Sequence, residues 1–108
     1  MFGKKRRAEK ERMEREREER KECYRITRNI KREFRESGQV YKVNPRELEQ
    51  RIEDVQTRRL EKGMKKLSEP LVERVVYIQL EREYIRRRLE ELGYSQKEIE
   101  LIMFYEKW

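Results

Sequence analysis

Arg25, Arg28, Arg32 and Arg35 follow one another at steps of three and four residues. That spacing lines side chains up along one face of an α-helix. A row of guanidinium groups can meet successive phosphates, a source of affinity that carries no base preference. Lys31 belongs to the same cluster. Two more basic clusters accompany it: Lys4, Lys5, Arg6, Arg7 and Lys10 at the start, and Arg58, Arg59, Lys62, Lys65 and Lys66 further on. The first suits a flexible arm tracking a nucleic-acid groove. The bland alternative for each cluster is the solvated side of a charged helix. Arg86, Arg87 and Arg88 spread around a helix instead of forming a row, so they are expected in surface salt bridges or at the edge of a phosphate patch.

Other chemistries find little support. The chain has no histidine and one cysteine, Cys23. That leaves no Ser-His-Asp or Cys-His arrangement and no zinc ligand set. Cys23 falls on an apolar stripe, so a buried thiol is expected in place of a nucleophile. Glu18/Glu22 and Glu49/Glu53 are acidic pairs at helical spacing, but such pairs arise by chance among 23 acids. The four glycines are isolated, and none forms a phosphate-cradling loop. The expectation is a non-enzymatic protein with no cofactor, no metal and no small-molecule substrate.

Charge and composition point the same way. Of 108 residues, 49% are charged and 34% hydrophobic, with a net charge of +7. Residues 1–21 carry ten basic and six acidic side chains, whereas residues 69–108 are net −2. An acidic partner is implied, nucleic acid first, then an anionic membrane surface or an acidic protein. No apolar run approaches the length of a transmembrane span, and the basic start lacks the apolar segment of a signal peptide. The expected location is cytoplasmic or virion-associated. The abundance of Arg and Glu, with few Asn and Gln, is the balance of a thermophile's proteins and equally of a long charged helix.

The elements that would position these groups are helices. Residues 5–36 contain no Pro or Gly and read as one helix, with opposite charges four apart at Lys5/Glu9, Lys10/Glu14 and Glu16/Arg20. Its first part has almost no apolar groups. Cys23, Ile26, Ile30 and Phe34 then form a stripe, placing the packed part at residues 22–36, closed by Gly38. Residues 39–43 alternate polar and apolar; they read as an extended connector, or as a short strand pairing with another subunit. Asn44-Pro45-Arg46-Glu47 opens a second helix, with Asn44 as cap, Glu47 closing a capping box and Val43/Leu48 as a hydrophobic staple. That helix is expected to reach Leu67.

Residues 70–92 form the segment around which the rest is arranged. Leu71, Val75, Ile78, Ile85, Leu89 and Leu92 make a seam for a partner helix, widened by Val72, Val76, Leu80 and Tyr84. Arg82 sits on that seam, where it needs an acid within reach or a path to water. Ser95 and Glu98 form a capping box for a last helix, 95–107. Leu92-Gly93-Tyr94-Ser95-Gln96-Lys97-Glu98-Ile99 resembles the opening of a helix-turn-helix in sigma-factor-like and other transcriptional regulators. The resemblance covers eight residues; it is taken as a helix junction, without a DNA-reading role. Tyr94, Phe104, Tyr105 and Trp108 could stack on bases, but core or interface packing is the expected use.

The sequence thus predicts an all-α fold: a small helical bundle with a long, partly projecting, charged N-terminal helix. Residues 1–21 are the arm and 22–108 the assembly domain. A homo-oligomer, with a dimer favoured, would bury Leu71, Val75, Ile78, Ile85, Leu89, Leu92, Phe104 and Trp108. The expected function is non-specific nucleic-acid binding or packaging through phosphate contacts. Small viral or mobile-element proteins share this makeup, a compositional analogy. A helical protein–protein adaptor and a membrane-surface helical protein are the alternatives.

Overall fold

A computed structural model describes residues 2–106, with side chains from Arg6 onward. The order is α1 (Phe2–Ser37), a 3-10 turn (Gln39–Lys42), α2 (Pro45–Glu61), α3 (Glu69–Glu91) and α4 (Gln96–Glu106). No strand occurs among the described residues.

At 1.5 Å per residue α1 is about 54 Å long, and it accounts for most of the 62 Å long axis of the molecule. Every side chain from Arg6 to Glu22 is exposed. Burial begins at Cys23 and continues through Ile30 and Phe34, as the stripe predicts. Gly38, at φ 64°, ends the helix. The chain then tightens into the 3-10 turn, so residues 39–43 are neither the extended connector nor the strand that alternation suggested. Val40 and Val43 fold back onto the core instead.

Asn44 caps α2 by accepting the Arg46 backbone N–H at 2.9 Å. The expected capping box does not close. The Glu47 carboxylate instead accepts from Arg51 one turn on, and Arg51 also bridges to Glu83 of α3 at 2.8 Å. The helix stops at Glu61, six residues before Leu67. Gly63 adopts φ 75°, and the Gly63 and Met64 N–H groups bond back to the Leu60 and Arg59 carbonyls. This is a Schellman ending, in which glycine relieves a left-handed conformation. The Gln56 amide then pins the loop through two 2.9 Å bonds to the Leu67 backbone.

The central helix, α3, touches α2, α1 and α4. Its buried apolar residues are Val72, Val76 and Leu80 in the first half, then Ile85 and Leu89 in the second. At about 100° per residue these two sets lie on nearly opposite sides. The first half packs with α2 and the end of α1, where Phe34 stacks obliquely on Tyr77 and Tyr84 at 5.6 and 5.2 Å. The second half packs with Cys23 and Ile30 of α1 and with Ile99, Ile102 and Met103 of α4. Glu81 stands at the crossover, only 7% exposed, and its Oε2 has no hydrogen-bond partner among the described residues. Gly93, at φ 90°, ends α3. Here the predicted box does form: the Ser95 N–H donates to Glu98, and the Glu98 N–H to the Ser95 hydroxyl.

Candidate nucleic-acid interface

Burying Cys23, Ile30 and Phe34 fixes the rotation of α1, and with it the face turned to solvent. From Arg20 to Arg35 the sequence holds seven basic residues and two acids, Glu22 and Glu33. The helical period places both acids on the side away from Tyr24, Arg28, Lys31 and Arg35. A groove of about 370 Å³ follows this acid-free face, lined by Tyr24, Thr27, Arg28, Lys31, Arg32 and Arg35. Thr27 is buried, its hydroxyl donating to the Tyr24 carbonyl at 3.1 Å.

Arg28, Arg32 and Arg35 are exposed and have no ion-pair partner among the described residues. Three unpaired cations on one side of a helix repel one another. An arriving polyanion removes that repulsion and releases its own counterions. Arg25 is exposed too, but it flanks the row and does not line the groove. Lys31 lines the groove but is engaged. Its ammonium pairs with Glu106 of α4, which also accepts from Arg82 of α3 at 2.7 Å. The seam position Arg82 therefore does reach an acid, and the pair joins three helices through one carboxylate.

The same face continues towards the arm. Arg20, Lys21, Tyr24, Phe104 and Tyr105 line a cleft of about 680 Å³ between α1 and α4. Tyr24 belongs to both cleft and groove. The Arg20 guanidinium lies over the Tyr105 ring, 5.6 Å from its centroid, and Phe104 meets Tyr105 edge-on at 5.6 Å. Sequence reasoning had not placed Arg20, Lys21 or Tyr24 in any site. The signal was present, since they extend the Arg28/Arg32/Arg35 face by the same helical spacing.

The other basic clusters do not gather in this way. Arg6, Arg7 and Lys10 are exposed on α1, while the side chains of Lys4 and Lys5 lie outside those described. Between Arg6 and Glu19 six basic residues are matched by six acids. The late cluster is divided. Arg59 donates to the Lys65 carbonyl at 3.0 Å, securing the loop. Arg58 lines a pocket shared with Glu47, Asp54 and Glu83. Lys62, Lys65 and Lys66 are exposed on the loop and its approach. In the arginine triplet, Arg88 forms the surface ion pairs expected, with Glu33 and Glu91 at 3.2 Å, and Arg87 lies over Tyr84.

No protein-family model, curated protein or solved structure matches this chain. The site's own geometry therefore carries the reading of function.

Among the residues assigned to an oligomer interface, Ile85 and Leu89 are completely buried in the chain's own core and cannot also meet a second copy. Val75 is half-buried, Leu71, Ile78, Leu92 and Phe104 are exposed, and Trp108 lies outside the described residues. Cys23 is buried as expected, and that burial, with Glu22 and Glu19 nearby, pushes its thiol pKa up, away from the reactive thiolate. The described residues contain no cluster of three metal-ligating side chains. None of their helices is long and apolar enough to cross a membrane.

Proposed function

We propose that this chain is a non-enzymatic nucleic-acid-binding or packaging protein that holds phosphates without base specificity. The observation that supports the reading is the acid-free face of α1, where Arg28, Arg32 and Arg35 stand exposed along one groove with no ion-pair partner among the described residues. Arg28 to Arg35 spans about 10 Å at the helical rise. With Arg25 at its edge, the row has the reach to meet three or four phosphates.

The test is binding of unrelated nucleic acids over a salt series. Three or four contacts give a logarithmic salt slope of about −2 to −3 on a single strand and slightly steeper on a duplex. Replacing Arg28, Arg32 and Arg35 together with Gln should weaken binding equally for unrelated sequences and flatten the single-strand slope by about 2. Unchanged binding, with an unchanged circular dichroism spectrum, would overturn the assignment.

A second reading, assembly through self-association, is favoured by one particular feature. Leu71, Val75 and Ile78 continue the face that Ile85 and Leu89 bury, yet Leu71 and Ile78 remain exposed. Joining this strip to its equivalent in a second copy would complete the seam. Leu71→Glu combined with Ile78→Glu should convert an oligomer into a monomer in sedimentation. An unchanged mass would exclude this strip.

A further inference from the structure

The groove on α1 ends at Tyr24, and the cleft beyond it is of a different kind. Arginines dominate the groove, whereas three of the five residues lining the cleft are aromatic. Tyr24 is 62% exposed and Phe104 55% exposed, so both rings stand open to solvent at the border of this space. They come from different helices, α1 and α4, and border one space of about 680 Å³. That volume lies within the roughly 300–1,000 Å³ of ligand sites. Arg20 and Lys21 line the same space. Arg20 is already held over the Tyr105 face at 5.6 Å, a cation–π placement that keeps a charged group beside a flat apolar surface.

Resting on the phosphate reading above, we infer that this cleft takes unpaired bases, and that the ligand class of the whole face is single-stranded nucleic acid. A single strand offers flat apolar rings together with a regular row of negative charges. The cleft supplies aromatic faces and two cations, and the groove joined to it through Tyr24 supplies three more cations. A duplex presents the phosphates but hides the base faces within its stack, so it can use the groove and not the cleft. Stacking on aromatic side chains is tolerant of sequence, because every base has a π-face. Phe104 and Tyr105, for which packing was the expected use and base stacking the alternative, thereby take the stacking role.

The experiment compares three ligands on the full chain by fluorescence anisotropy at several salt concentrations. They are a single-stranded thymidine oligomer, an abasic strand of the same length, and a duplex. The native protein should bind the thymidine strand at least ten-fold tighter than the abasic strand. Tyr24→Ala and Phe104→Ala, made separately, should each weaken the thymidine strand by roughly 5- to 150-fold, the range for loss of one stacked base. Abasic and duplex affinities, and all salt slopes, should stay as they were. Tyr24→Trp should retain the preference. Both rings are exposed, so the fold should survive, and circular dichroism checks that it does. Equal binding of the thymidine and abasic strands would overturn the base cleft and leave the phosphate groove standing. Absence of binding to all three would overturn both. A drop in sedimentation mass in the alanine variants, with binding unchanged, would assign the cleft to a second copy and overturn the inference.

Discussion

Glu106 holds two cations at once, and its removal has consequences of opposite sign for stability and for binding. Its side chain is 9% exposed, whereas Lys31 and Arg82 are each 29% exposed. Breaking a fully buried pair costs about 3–5 kcal/mol. The partial exposure of both cations lets water compensate them, so Glu106→Gln should cost about 1–3 kcal/mol. For a domain of this size that corresponds to a fall in Tm of about 5–15 °C. The same change frees the Lys31 ammonium, which lines the phosphate groove. One more available contact on a single strand steepens the salt slope by about 0.7 and raises affinity about five-fold near 0.1 M salt. Arg82→Met is the control. It breaks the other half of the pair and leaves Lys31 held, so it should lower Tm without raising affinity. Thermal melts by circular dichroism and anisotropy titrations on the same preparations measure both effects. A Glu106→Gln variant that remains folded but binds no tighter would refute the placement of Lys31 in the phosphate row.

Three further outcomes follow from other parts of the bundle. Glu81→Met replaces a buried carboxylate whose Oε2 lacks a partner among the described residues, and urea titration should show a gain of about 1–3 kcal/mol. Gln56→Ala removes both bonds to Leu67; it should cost about 1–3 kcal/mol and speed amide hydrogen exchange across residues 62–68. The Ser95 backbone N–H, and then its hydroxyl, hold the Glu98 carboxyl below the usual carboxylate range. Its contribution is therefore full above the unfolded value of about 4.3 and is lost as pH falls through the lower folded value. Urea midpoints measured against pH should show the native protein losing stability relative to Glu98→Gln over that acid window, and parallel curves there would refute the cap.

The local signals in the sequence proved more legible than the tertiary ones. The Ser95/Glu98 box, the Asn44 cap, the Cys23/Ile30/Phe34 stripe and the end at Gly38 each depend on a few neighbouring residues, and each formed. Glu47 failed as a capping group because Arg51 offered it a charged partner one turn away, and Arg51 was itself anchored by Glu83. No local pattern contains that third residue. The end of α2 was missed for a related reason. Met64 and Leu67 continue the apolar period, but Gly63 stops the helix, and Leu67 is instead tied through its backbone to Gln56.

The central helix shows why a correct apolar pattern still gave Ile85 and Leu89, two residues of the chain's own core, to an interface. One seam from Leu71 to Leu92 assumes that a single neighbour runs the whole length of α3. The chain instead supplies α2 to one side of its first half, and α1 with α4 to nearly the opposite side of its second. Ile85 and Leu89 are consumed internally, while Leu71 and Ile78, on the same face, are left bare. A similar division separates the basic residues. Counting charge favours the start of the chain, but there bases and acids balance from Arg6 to Glu19. On α1 between Arg20 and Arg35 the rotation set by the core turns the acids away from the groove. For a phosphate-binding surface, net charge over a segment matters less than which side chains share a face, and that is decided by where the apolar residues are buried.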